Sequence, residues 1–286
     1  MNEIEECAIN IKLNGYHIFR GLISDEEIEQ IKTSAFSLRR EYSEEKVKQR
    51  LFYRRESSHN RQGDALMVSN SETTLPSINI QNTPINKYFK MYNNIIEECV
   101  GQKFTDSSQM RSMLNIQEYF SGSLPVYNHY DGEFFFFFHE FDSNTNENIL
   151  KLDKALIPRF VMVCVLENEN DGKGVYVCKH DSHDRIDVKL YPGDVLVFDN
   201  VNLRHGVPEL DKPRMMIGLR NFDYNPYYFE ASPEENSSYK ELYDVRNPGW
   251  VKELSNEETQ QIQIKYNKIW YEKGYDKNVR TSKPAF

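Results

Sequence analysis

Tyr127-Asn128-His129-Tyr130-Asp131 runs into Gly132-Glu133, five consecutive phenylalanines from Phe134 to Phe138, and His139. Residues two apart on an extended strand project to the same face, so His129 and Asp131 are expected to set an imidazole beside a carboxylate. Such a pair supplies two of the three ligands of a 2-His-1-carboxylate metal site. By itself a His-x-Asp triplet is a weak signal, because polar strands produce it by chance. If the strand continues, Phe135 and Phe137 share the face of His129 and Asp131 and become candidate pocket walls. Phe134, Phe136 and Phe138 then turn towards a helical layer. A bulge at Gly132 would exchange the two sets.

Strand patterns surround this stretch. Upstream, Met113-Leu114-Asn115-Ile116-Gln117-Glu118-Tyr119 alternates, and its odd face is polar for a strand: Asn115, Gln117, Tyr119. Such a face is either solvated or lines a ligand cavity. Downstream, Phe160 to Leu166 is an almost unbroken apolar run, as expected for a strand buried on both faces. A turn at Asp171-Gly172-Lys173-Gly174 leads into Val175-Tyr176-Val177. A second turn at Leu190-Tyr191-Pro192-Gly193-Asp194 leads into Val195 to Phe198, and a last strand spans Arg214 to Asn221. Short strands separated by turns predict a mainly β fold of jelly-roll type.

Helical patterns flank the strands. Ser24-x-x-Glu27 is a capping box opening a helix over Asp25 to Tyr42, and Thr83-Pro84 opens another that ends near Val100. Residues 43–75 are polar and read as irregular, with a loop at Arg61-Gln62-Gly63-Asp64; Asp142 to Asn148 reads as another loop. Beyond Pro226 the chain is acidic until Ser255-x-x-Glu258 opens a helix towards Gly274. With no internal repeat and no linker, a single domain over 1–286 is expected. Its parts are a mostly helical 1–111, a jelly-roll core over 112–229, and a C-terminal loop and helix over 230–286.

Thirty-five basic against 44 acidic residues leave a net charge of −9, which argues against nucleic acid as a partner. No apolar stretch reaches the length of a membrane span, and no apolar leader follows Met1, so no membrane partner is expected. Cys7, Cys99, Cys164 and Cys178 are scattered without a Cys-x-x-Cys pair, which suits a reduced, cytoplasmic protein. Oligomeric state leaves no mark on the sequence.

His205, in Leu203-Arg204-His205-Gly206-Val207, is the candidate third ligand. Nine residues on, Arg214, Met216, Gly218 and Arg220 share one face of the last strand, with Met215, Ile217 and Leu219 on the other. Two arginines on so apolar a strand need an anionic partner, unless they sit at the strand ends and reach solvent. His180-Asp181-Ser182-His183-Asp184 is richer in ligand-type residues but falls between strands, where a solvated loop explains it. His139 reads as a hydrogen-bonded sheet histidine.

Taken in order, His129-x-Asp131, Gly172-x-Gly174, Pro192-Gly193-Asp194 to Phe198, His205-Gly206-Val207 and Arg214 resemble the iron(II)/2-oxoglutarate-dependent dioxygenase superfamily over about residues 113–222. Asn14-Gly15-Tyr16 to Leu22-Ile23-Ser24 is similar, to a lesser degree, to the opening of phytanoyl-CoA-dioxygenase-like and prolyl-hydroxylase-like members. The resemblance implies a double-stranded β-helix, the jelly roll of cupin-like proteins, with flanking helices. It implies that His129, Asp131 and His205 hold Fe(II) as the catalytic centre, with 2-oxoglutarate and O2 as co-substrates. Arg214 would pair with the distal carboxylate of 2-oxoglutarate, with Tyr119 and Gln117 beside it.

The activity so implied is oxidation, with hydroxylation foremost, of a C–H bond in a small acidic molecule such as an amino acid or biosynthetic intermediate. Succinate and CO2 would be released. Related halogenases carry Gly or Ala where Asp131 stands, so Asp131 favours a non-halogenating outcome. Arg220 is expected to anchor an anionic group of the substrate, with Asn128, Phe135 and Phe137 around it; alternatively, Arg220 binds 2-oxoglutarate. Two other readings stand beside this one, a prolyl-type hydroxylase of protein side chains and a cupin-like metal- or ligand-binding protein without oxygenase activity.

Overall fold

Alternation along the strands divides the apolar residues between two cores, and that division places the site. The structure is a computed structural model that describes residues 2–43, 52–57, 60–69, 78–101, 112–129, 131, 137–142, 147–152, 159–179, 185–200 and 202–220. The elements of the N-terminal part are α1 (Glu3–Asn14), β1 (Tyr16–Phe19), α2 (Asp25–Ser43), β2 (Phe52–Ser57), β3 (Arg61–Ser69), β4 (Ile78–Asn79) and α3 (Ile85–Val100). Then follow β5 (Ser112–Tyr119), β6 (Val126–His129), β7 (Phe137–Asp142), β8 (Glu147–Leu152), β9 (Phe160–Asn168) and β10 (Lys173–Lys179). The last four are β11 (Arg185–Lys189), β12 (Val195–Asp199), β13 (Leu203–Val207) and β14 (Arg214–Arg220).

The larger sheet has the order β1-β12-β9-β14-β5-β3-β2, with β4 on β3, and the smaller has the order β11-β10-β13-β6. From β5 onward the chain passes back and forth between them, with β10 and β11 both in the smaller sheet and β7 and β8 in a separate pair. β5, β9, β12 and β14 lie in the larger sheet, and β6, β10, β11 and β13 in the smaller. Two antiparallel four-stranded sheets wound from one chain in this way are a double-stranded β-helix, as expected.

On β9, Phe160, Met162, Cys164 and Leu166 join the core under the helices, whereas Val161, Val163 and Val165 point between the sheets. This strand is apolar throughout because both of its faces are buried. On β14 the odd residues Met215, Ile217 and Leu219 take the helical side, and Met216 takes the inter-sheet side. The helical layer supplies Ile31 and Ala35 from α2 and Tyr88, Phe89 and Tyr92 from α3. Tyr92 lies deep in that layer and donates its hydroxyl hydrogen to the Phe160 carbonyl, so the polar tip of a buried ring is satisfied.

Several expectations change. α1 went unread, although Asn2 and Glu5 form a capping box and Gly15 closes the helix in the left-handed region. Residues 61–64 are not a loop but the start of β3, which pairs with β5 from Arg61 to Val68. The segment 1–111 therefore extends the larger sheet as well as covering it. Asp64 is buried on the helical side, where Arg39 of α2 bridges it to Glu118 of β5. A pattern search misses such a strand because its polar residues are matched by partners distant in sequence. Thr83 does not cap α3; its hydroxyl bonds back to Ile80 and Pro84 holds the cap position. Of the expected Asp142–Asn148 loop, Asp142, Glu147 and Asn148 lie on the paired strands β7 and β8, and residues 143–146 lie outside the described residues. The C-terminal helix and the His180–Asp184 cluster lie outside the described residues. Among the described residues no helix is long and apolar enough to cross a membrane.

Candidate metal and anion site

β14 pairs with β5 so that Arg214 stands opposite Tyr119, Met216 opposite Gln117, and Gly218 opposite Asn115. The polar odd face of β5 and the even face of β14 therefore form one continuous wall of the inter-sheet space. Asn115 and Gln117 are half-buried, so solvent reaches part of this wall.

Arg214 is 1% exposed. Its Nη1 donates to the Gly174 carbonyl at 2.6 Å and to that of Lys173 at 3.3 Å, and its guanidinium lies 4.4 Å from the centre of the Tyr119 ring. Nε and Nη2 are buried without a partner among the described residues. Burial pushes the guanidinium pKa down, and the neighbouring Tyr119 opposes that shift. A buried cation with two unmet donors can take an anion, because leaving such donors unmet costs more than leaving them in water. The fork suits a carboxylate. Asn168 and Asn170 brace the surroundings: Asn168 donates to the carbonyls of Lys173 and Leu190, and Asn170 to those of Lys212 and Pro213.

At the other end of β14, the Arg220 Nε donates to the Asp131 Oδ2 at 2.6 Å. The anion that the sequence demands for Arg220 is therefore, in the first instance, Asp131. The guanidinium folds back over Gly218, where a Cβ would come within 2.9 Å of Nη1. That Nη1 is buried and has no partner among the described residues.

β6 ends at His129, and Asp131 lies beyond it in a turn. The single extended strand expected through His129 and Asp131 is thus broken, and the alternation cannot be carried into the phenylalanine run. Phe137 opens the separate β7–β8 hairpin, and Phe135 lies outside the described residues. His129 is nevertheless placed by its backbone, directly opposite His205 in the pairing of β6 with β13. Asn128 sits beside it on β6. His205 is 7% exposed and packs its ring 4.6 Å from that of Phe198.

The His205 Nε2 lies 3.8 Å from the Asp131 Oδ1. That is too long for a hydrogen bond. Two bonds of about 2.1 Å from imidazole nitrogen and carboxylate oxygen span at most about 4.2 Å, so the separation lies within the reach of one divalent ion. Among the described side chains, no group of three His, Cys, Asp or Glu stands together.

Residues that motif reading passed over also hold the site. Asn200 accepts from the Asp131 N–H at 2.7 Å and donates from Nδ2 to the Asp131 carbonyl at 3.1 Å. Tyr176 crosses Gly206 to donate to the Val126 carbonyl at the start of β6; a Cβ at position 206 would come within 2.3 Å of its ring. Asp194 of the Pro-Gly-Asp turn is structural, accepting from Arg20, Gly21 N–H and Tyr191 N–H.

No family model matches the chain, and no curated protein matches it. Among solved structures it is similar to a Pseudomonas putida prolyl-4-hydroxylase, at 12% identity and a TM-score of 0.48 over 77% of this chain and 98% of that one. It is also similar to an oxidoreductase of the 2OG-Fe(II) oxygenase family from Burkholderia pseudomallei, at 13% identity and a TM-score of 0.48 over 78% and 92%. A third is a Trichoplax adhaerens prolyl hydroxylase in complex with a hypoxia inducible factor peptide fragment, at 11% identity and a TM-score of 0.49 over 80% and 95%.

Proposed function

We propose that this protein is an iron(II)/2-oxoglutarate-dependent oxygenase that hydroxylates a C–H bond of a small molecule bearing an acidic group. The observation that carries this reading is the pair of idle donors on buried Arg214, on the same sheet wall as Arg220, which holds Asp131 beside His205. An anion slot on the larger sheet and a candidate metal pair at the smaller sheet meet in one inter-sheet space and fit a ligand that is both chelator and carboxylate.

His129, Asp131 and His205 would hold Fe(II), and Arg214 with Tyr119 and Gln117 would hold 2-oxoglutarate. Bound there, the two supply oxidative decarboxylation, in which O2, 2-oxoglutarate and the C–H substrate become succinate, CO2 and the alcohol. The chain's own residues orient and exclude. Arg214 fixes the distal carboxylate through its fork, with the Tyr119 ring packed against the guanidinium. Arg220 keeps one oxygen of Asp131 occupied so that the other faces His205. Val161, Val163, Leu196 and Phe198 line part of the inter-sheet space and exclude water from it. The remaining Nη1 of Arg220 takes the acidic group of the substrate. Four free cysteines without a paired motif support a cytoplasmic setting.

Anaerobic addition of Fe(II) and 2-oxoglutarate is expected to give a visible charge-transfer band that disappears in His129→Ala. In air, a screen of small acids should reveal succinate release coupled to substrate oxidation. Coupling only to proline-containing peptides would replace the small-molecule reading with the protein hydroxylase. Absence of both band and succinate would leave a binding protein without oxygenase activity.

A further inference from the structure

Asp131 stands two residues past His129, the last residue of β6, and among the described residues it belongs to no strand ladder. A side-chain carboxamide carries the same donor and acceptor as a peptide group. Asn200 presents both to Asp131, accepting from its N–H at 2.7 Å and donating to its C=O at 3.1 Å. This reproduces the double exchange of a hydrogen-bonded residue pair in an antiparallel ladder. Asn200 is 0% exposed, and its own N–H donates to the Arg159 carbonyl at 2.6 Å. It lies in the connection between β12 and β13, five residues before His205. The segment that delivers His205 therefore also grips the backbone of Asp131.

We propose that Asn200 is a positioning residue for the metal pair, a one-residue substitute for a strand that sets the Asp131 carboxylate at its distance from His205. The proposal rests on the reading of Asp131 and His205 as metal ligands. Backbone grip by Asn200 and the Arg220 bond to Oδ2 together leave Oδ1 as the oxygen turned towards His205. Removing the grip frees the turn and lowers metal affinity without touching a ligand, as loss of outer partners does in metal sites.

The test is titration of the chelator-stripped full chain with Mn(II), with free metal read by electron paramagnetic resonance and the metal-free Tm measured alongside. Asn200→Ala is expected to weaken Mn(II) binding by about ten-fold or more. Asn200→Ser, which keeps one polar atom in the pocket, should lose less. Asn86→Ala removes a different buried asparagine, one that donates to the Gln81 carbonyl beside α3. It should lower Tm and leave Mn(II) affinity unchanged. Asn200 variants that bind within two-fold of a metal-binding wild type overturn the positioning role alone. A wild type that binds no Mn(II) overturns the metal-site reading first. Failure of both Asn200 variants to fold makes Asn200 structural and likewise overturns the proposal.

Discussion

Arg214 is compensated by two carbonyl oxygens and a tyrosine ring, with no carboxylate partner among the described residues. Stability does not call for such a residue, since exchanging buried charge for apolar bulk is often neutral or favourable. Arg214→Met is therefore expected to keep or raise Tm while abolishing turnover at ordinary 2-oxoglutarate levels. Arg214→Lys keeps the charge but loses the fork. It should raise KM for 2-oxoglutarate by about 10- to 100-fold, the scale of one or two charge-assisted hydrogen bonds. Succinate release against 2-oxoglutarate concentration measures both. Arg220→Leu should raise KM for the substrate and spare that for 2-oxoglutarate when Fe(II) is saturating; the reverse pattern would make Arg220 a 2-oxoglutarate ligand. Saturating Fe(II) is needed because the same change also releases Asp131.

At the scale of elements, β3 is attached to the sheet by its ladder with β5 and to the helical layer by Arg39. The Asp64 side chain is fully buried, so Arg39→Ala removes its counter-charge and leaves the Gln62 amide bond, and should cost about 3–5 kcal/mol in denaturant unfolding. Gly206 marks the crossing of Tyr176 over β13. Gly206→Ala forces that ring or the Val126 carbonyl aside, costing about 1–3 kcal/mol, and should show as a lower Tm. These two changes probe different ends of the sheet system, so their effects are expected to add in the double variant.

Across the whole molecule, the two cores divide the work. The core under the helices holds its buried Asp64 paired with Arg39, whereas the inter-sheet core carries Arg214, Arg220 and His205 among its apolar residues. Ligands that bind this inter-sheet space only when it is folded stabilise the fold. Mn(II) with 2-oxoglutarate, each at 100 times its dissociation constant, should raise unfolding stability by about 2.7 kcal/mol per ligand, read as an increase in Tm. Arg214→Met should keep the metal increment and lose that of 2-oxoglutarate.

The sequence by itself determined which residues share a face. The polar side of β5, the two-sided burial of β9 and the inward set Arg214, Met216, Gly218 and Arg220 follow from the period of two in an extended chain, which is local. The succession of strands and turns likewise pointed to the jelly roll. Tertiary structure decided where strands end and what meets them. The His129–Asp131 stretch leaves the sheet after His129, Asp131 finds Arg220 and Asn200 instead of a neighbouring strand, and residues 61–64 pair with β5. Each of these depends on hydrogen-bond partners tens of residues away, and no local pattern encodes which partner a backbone group will find.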